Sequence, residues 1–183
     1  PDWRPQTDYR KQYSAEASLG GGCVLDCIHE IDLAKWYLGP VHEVFCASGH
    51  LSSLEITSED VAMLILKHQA GSLSQLELDY VQRRYDRGCH IVGELGTLNW
   101  DFGRHTVTWF DQGSGETTVY SEPNGYELNQ MYLDEMAHFL QVVRGQTASC
   151  CPILSAAQTL EVALQAKTSS ETKSMLPLKG LET

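Results

Sequence analysis

What this sequence lacks narrows its function before any motif is considered. No apolar run reaches the roughly 20 residues needed to span a bilayer, and the opening PDWRPQTDYR does not look like a secretory signal. No membrane partner is expected, and a cytoplasmic setting is the default. Basic charge is scarce: 13 Lys and Arg stand against 24 Asp and Glu, a net charge of −11, and they are scattered singly. That pattern argues against nucleic acid as a partner. Six cysteines include no CxxC pair; Cys23 and Cys27 lie one helical turn apart, Cys46 and Cys89 fall in expected strands, and Cys150 and Cys151 are adjacent. Reduced thiols filling core space are the better reading than a disulfide frame. Cys23, Cys27 and His29 would not share one helical face, so no metal is expected. No GxGxxG joins a strand to a helix. Gly20-Gly-Gly22 lacks the preceding strand and the acidic residue about 20 positions on, while Gly93, Gly96, Gly113 and Gly115 read as hairpin glycines. This chain alone is therefore expected to bind no dinucleotide. No serine or cysteine nucleophile stands in a recognisable turn, which weakens a hydrolase reading.

What is present reads as an ordinary globular chain, large enough at 183 residues for a real core and treated as a single domain over 1–183. Residues 1–18 carry Trp3, Arg4, Tyr9, Arg10 and Tyr13 with two prolines and read as an ordered loop. A helix is expected from Gly22 to Leu38, stopped by Gly39-Pro40, with Leu25, Ile28, Ala34 and Trp36 buried. The period then changes to two. Strands are expected over Val41–Ala47 and Asp60–Lys67, and a third follows the turn Gln69–Ser72, where Leu76, Leu78 and Tyr80 alternate with polar residues. Ala62–Leu66 (AMLIL) is apolar at every position, which predicts a central strand covered on both faces. Hairpins join Cys89–Val92 to Thr97–Phe102 and Thr106–Phe110 to Thr117–Ser121. Helices over Leu128–Val143 and Ser155–Lys167, the latter with a serine N-cap, precede a short edge strand at Met175–Leu178. This order predicts an α+β fold: one large, mostly antiparallel sheet with helices on one face. Where Trp100, Trp109 and Tyr120 project from the other face, a second subunit is expected.

The most informative stretch is Gly20–Gly39, GGGCVLDCIHEIDLAKWYLG. Three glycines allow the backbone to approach a ligand or another chain closely. Asp26, His29 and Asp32 then follow at three-residue steps on this helix, on neighbouring parts of one face, so the imidazole and both carboxylates can converge on one small volume. A histidine between carboxylates is suited to proton transfer near neutral pH. An amphipathic helix with these groups facing water is the competing reading.

That string resembles the catalytic helix of the Gfo/Idh/MocA oxidoreductases, in which a glycine run is followed by Asp, His and a further Asp. The opening Pro1–Arg10, the segment CHIVGELGTLNWDF (Cys89–Phe102) and the closing helices from Tyr132 to Ser170 are similar to the same family. The family's commoner spacing is Asp-x-x-x-His, whereas here Asp26 and His29 are one residue closer, as in a DxxHExD variant of sugar-modifying members. The resemblance implies the glyceraldehyde-3-phosphate dehydrogenase-like C-terminal domain, without the N-terminal Rossmann domain that holds NAD or NADP in the full-length parent. It also implies a dehydrogenase acting on a sugar, polyol or related hydroxy compound, assembled as a homo-oligomer through its sheet. His29 would be the catalytic proton acceptor with Asp26 beside it. Asp32, Arg4, Tyr9 and Arg10 would be substrate-binding residues, the arginines suited to a carboxylate or phosphate. A non-catalytic binding or scaffold module with the same fold is the alternative.

Overall fold

The computed structural model describes residues 6–180. Its helices are α1 (Cys23–Asp26), α2 (Ile28–Leu38), α3 (Asn129–Val143) and α4 (Ile153–Thr172). Its strands are β1 (Val41–Gly49), β2 (Val61–His68), β3 (Leu73–Asp79), β4 (Gly88–Gly93), β5 (Gly96–Asp101), β6 (Thr106–Asp111), β7 (Thr117–Ser121) and β8 (Leu176–Pro177). The fold is α+β. The chain divides into two compact units, one of Pro1–Val81 with Cys151–Thr183 and the other of Gln82–Cys150.

The strands form two four-stranded antiparallel sheets, ordered β3-β2-β1-β8 and β4-β5-β6-β7, not one continuous ladder. The ladder stops at residues 80–87, where no strand forms. There the Gln82 side-chain amide donates to the carbonyls of Arg84 and Asp86, which folds this charged segment onto itself.

In the first unit the alternation seen in the sequence becomes a core. Cys46, Leu64 and Leu76 stand opposite one another across β1, β2 and β3, as do Ser48, Ala62 and Leu78. Helix α4 supplies Val162, Ala163, Ala166 and Ser169 to this face, and Ile31 of α2 completes it. The small side chains of α4 permit close approach to β1. Ser169 then serves the strand directly: its hydroxyl accepts from the Cys46 amide at 2.9 Å and donates to the Ser174 carbonyl at 2.6 Å. Ser170 accepts from the Ser48 amide at 2.9 Å. The two serines thus satisfy amides of β1 beyond its short pairing with β8, at Glu43 and Val44.

Three expectations need correction here. β2 is central but covered on one face only, since Met63 and Ile65 are exposed; every residue of AMLIL is apolar, yet only Ala62, Leu64 and Leu66 face helices of this chain. Trp36 lies on the solvent side of α2, 76% exposed, with its ring tilted against that of Tyr37 instead of entering the core. The last long helix begins at Ile153 behind Pro152, not at a Ser155 cap, and runs on to Thr172. Ser155 is instead a partner of Lys35.

In the second unit, one face of β4–β7 carries Cys89, Trp100, Val107 and Tyr120 in one cross-strand row and Ile91, Leu98 and Trp109 in the next. No hydrophobic side chain of this unit is buried. Helix α3 leaves Met131, Tyr132, Met136, Phe139 and Val143 exposed. Among the described residues no helix is long and apolar enough to cross a membrane.

Candidate active site

The site is built on the glycine run, and close packing within the chain explains the glycines. Residues 13–16 form a strap directly on them. A Cβ on Gly21 would sit 2.5–2.7 Å from the carbonyl oxygens of Tyr13, Ser14 and Glu16. The Gly21 amide donates to Glu16 O at 2.9 Å and that of Gly22 to Ser14 O at 3.1 Å. Gly22 adopts φ +112°, and a side chain there would collide with the Glu59 carboxylate. The strap's other edge is tied to residues 57 and 58, by the Thr57 amide to Ala15 O at 2.8 Å and the Ser58 hydroxyl to Ser14 O at 2.9 Å.

Glu59 closes the start of α1. Its backbone carbonyl accepts from the Cys23 amide at 3.1 Å, and its carboxylate accepts from the Val24 amide at 3.3 Å and from Lys167 at 2.8 Å. A carboxylate at this position suits exposed helix amides. The loop before β2 is held by Asp60, fully buried, which accepts from the amides of Leu51 (2.7 Å) and Ser52 (3.0 Å) and from the Ser52 hydroxyl. Burial alone would push the Asp60 carboxyl up; the Ser52 hydroxyl and these amides outweigh it and hold the group below its usual range.

The expected single helix is broken at Cys27, whose φ of −99° and ψ of 27° separate α1 from α2. Asp26 ends α1 and His29 is the second residue of α2, so the three groups do not stand on one continuous helix. Each group has its own partner. Asp26 accepts the Tyr13 hydroxyl at 2.5 Å. His29 is about half exposed, its Nε2 3.3 Å from the Glu30 carboxylate. Asp32 turns toward α4, accepting from the Thr159 hydroxyl at 2.6 Å with Lys35 Nζ at 3.3 Å. Lys35 is largely buried and donates to Ser155 O and Thr159 Oγ1, each at 2.5 Å.

The remaining candidates lie in the opening segment, which folds as short 3₁₀ turns at Tyr9–Lys11, Tyr13–Ala15 and Ala17–Leu19. Tyr9 accepts from the Glu55 amide at 3.2 Å. Arg10 meets two carboxylates, Asp8 at 2.8 Å and Glu55 at 2.9 Å. Arg4 falls outside the described residues.

Two tyrosines that bear on Asp26 carry no site role in the sequence reading. Tyr13 comes from the strap. Tyr80 follows β3 on its helix-covered face, and its buried hydroxyl makes no hydrogen bond. Burial, and then the nearby Asp26 charge, push its phenol pKa up, although the two groups do not meet in hydrogen-bond geometry. The signal was the alternation Leu76, Leu78, Tyr80, which puts a polar tip on an apolar face.

The sequence profile of the GFO/IDH/MocA C-terminal domain matches residues 1–99. The chain belongs to this family. No curated protein matches it. Among solved structures, an oxidoreductase from Agrobacterium radiobacter in complex with NAD+, L-tartaric acid and magnesium is similar at 18% identity and TM-score 0.75, covering 92% of this chain and 52% of that one. Levoglucosan dehydrogenase, in complex with NADH and levoglucosan, is similar at 13% identity and TM-score 0.80, covering 93% of this chain and 54% of that one. An NAD-binding oxidoreductase from Klebsiella pneumoniae is similar at 14% identity and TM-score 0.80, covering 94% and 54%. The chain therefore spans about half the length of these structures. In this GFO/IDH/MocA C-terminal domain the amides of Gly21, Gly22, Cys23 and Val24 at the glycine run are all donated within the chain, the last to the Glu59 carboxylate.

Proposed function

We propose that this chain is the substrate-binding and oligomerisation domain of an NAD(P)-dependent dehydrogenase acting on a sugar, polyol or related hydroxy compound. The observation that carries this reading is the half-exposed imidazole of His29, beside Glu30 at the start of α2, in a chain of the GFO/IDH/MocA family. The ligands named for the Agrobacterium and levoglucosan enzymes are hydroxy compounds, which supports the substrate class.

This chain's share of the reaction is proton transfer and positioning. His29 accepts the hydroxyl proton of the bound substrate, and its exposure leaves the imidazole accessible to one. Asp26 holds a neighbouring hydroxyl or the imidazole. Asp32, Tyr9, Arg4 and Arg10 belong to the surrounding substrate surface. NAD or NADP, bound by a dinucleotide-binding half outside this chain, supplies the redox chemistry. The chain acts as one functional domain, and the apolar row Trp100, Val107, Tyr120 makes its self-association surface. A cytoplasmic location fits this role.

The test restores a dinucleotide-binding half and compares His29→Ala with Asp26→Ala. Loss of His29 lowers kcat by about 10²-fold or more with cofactor affinity little changed. An unchanged rate hands the reading to a non-catalytic scaffold module. That second reading draws on the contacts of Asp32 with Thr159 and of Arg10 with Asp8 and Glu55, which give both residues structural work.

A further inference from the structure

We propose that a cleft at the C-terminal end of α2 is a second ligand site, one that takes a small, neutral polyhydroxyl compound. It is separate from the groups at the start of that helix. Lys35 lines the cleft and His29 does not; the two stand six residues apart on α2, about 9 Å along its axis.

The cleft has a volume of about 160 Å³ and lies within the first unit, where the end of α2 and the start of β1 meet α4 and the segment after β8. Hydrogen bonds within the chain fix its frame. The Gln69 amide donates to Pro40 O at 2.8 Å, and the Leu178 amide donates to His42 O at 2.9 Å. The Lys179 amide donates to Glu161 Oε1 at 2.9 Å, which ties the segment after β8 to α4. Val41 and Val162, both buried, give the cleft an apolar floor.

The polar lining has hydrogen-bonding capacity that the chain itself does not use. Among the described residues, the side chains of His42, Gln69 and Gln158 make no hydrogen bond. Gln158 is half-buried on α4, and Gln69 stands on the exposed turn after β2. A carboxamide both donates and accepts, and so does a neutral imidazole. A ligand hydroxyl does the same and matches all three. A carboxylate would answer only their donors, and an ammonium group only their acceptors.

Charge points the same way. The Lys35 ammonium is engaged within the chain, by Asp32 at 3.3 Å, by both oxygens of Ser155 and by the Thr159 hydroxyl. The other formal charges of the lining, on Glu161 and Lys179, are equal and opposite. An ion entering this cleft would give up hydration without a dedicated counter-charge, whereas a neutral ligand loses less. Size sets the rest. A cavity of about 150 Å³ holds a benzene ring, so an open cleft of this volume suits a four-carbon chain. A hydroxyl on each carbon would meet the polar rim while the C–H groups rest on the two valines.

The experiment follows the side-chain amide signals of Gln69 and Gln158 in the whole ¹⁵N-labelled chain. Erythritol is the four-carbon polyol probe, and succinate is a four-carbon anion for comparison. The expected result is a saturable shift of both amides with erythritol and none with succinate. Gln158→Leu, read at Gln69, weakens erythritol binding about 10-fold, the value of one hydrogen bond. Gln69→Ala, read at Gln158, has an effect of the same size. Absence of a saturable shift overturns the proposal, as does an equal response to succinate or unchanged affinity in the variants. Gln69→Ala sits on an exposed turn and decides the matter even if Gln158→Leu does not fold. His29→Ala should leave the erythritol shifts in place; their loss in that variant would contradict a separate site. The readout needs no cofactor or turnover, so an unchanged His29→Ala rate sinks the dehydrogenase reading and leaves this cleft standing.

Discussion

The two units of this chain are built from the same kind of antiparallel, alternating strands, yet only one of them has a buried core. Among the described residues every buried hydrophobic side chain lies in the first unit, where α1, α2 and α4 bring Val24, Ile31 and Val162 to the inner face of β1–β3. The second unit presents an equally regular ladder with Trp100, Leu98 and Trp109 on one face, and buries no hydrophobic side chain. Strand pattern alone does not make a core; a covering layer does. The first unit carries its own layer, and with it the rigid frame on which Asp26 and His29 stand. The second exposes apolar surface of the kind that is covered by association.

The sharpest way to break this comparison is to remove equal bulk from each sheet. Leu64→Ala, at the centre of the first sheet, costs about 3 kcal/mol in urea unfolding. Leu98→Ala in dilute solution costs less than about 1 kcal/mol, because its side chain is only partly removed from water. Equal costs would mean that the second unit has a core of its own.

Next in size is Gly21→Ala, expected to cost about 2 kcal/mol through overpacking against three backbone carbonyls. It also displaces the strap that delivers Tyr13 to Asp26. A variant of unchanged stability would show that the strap is not held by the glycine run.

Asp60→Asn tests the acid response of the first unit. The folded carboxyl is held below its unfolded value, so its stabilisation is present above about pH 4 and is lost as pH falls through the lower folded value. Unfolding from pH 7 to pH 2 therefore shows a cost for Asp60→Asn of about 1–2 kcal/mol at neutral pH that shrinks in acid. A cost independent of pH contradicts the role given to the charge.

The smallest effect on the isolated chain belongs to Tyr120→Lys, which changes monomer stability by less than about 0.5 kcal/mol. Its consequence is for assembly. If this face associates, sedimentation at increasing concentration shows dimerisation weakened about 10-fold or more, as for an aromatic residue near the centre of an interface.

Much of this contrast was legible in the sequence. The alternation Leu76, Leu78 with polar neighbours marked a half-buried strand, and the hairpin glycines marked the second sheet. Thr117–Ser121 forms as read. What was not legible depends on contacts distant in sequence. The break at Cys27 follows no proline or glycine. The exposure of Trp36 follows from which side of α2 meets α4, and α4 lies over a hundred residues later; Lys35 and Thr159, separated by 124 positions, make that contact. For the site, Asp26 and His29 stood out because they share one short segment. Tyr13 and Tyr80 did not, since only folding brings the strap and the end of β3 to the same carboxylate.

Amide hydrogen exchange on the dilute chain tests the contrast between the units most directly. The account predicts slow exchange for β1–β3 and for the Gly21 and Gly22 amides, with markedly faster exchange throughout β4–β7 and α3. Raising the protein concentration should slow β4–β7 selectively. Uniform protection across both units at dilution, unaltered by concentration, would contradict it.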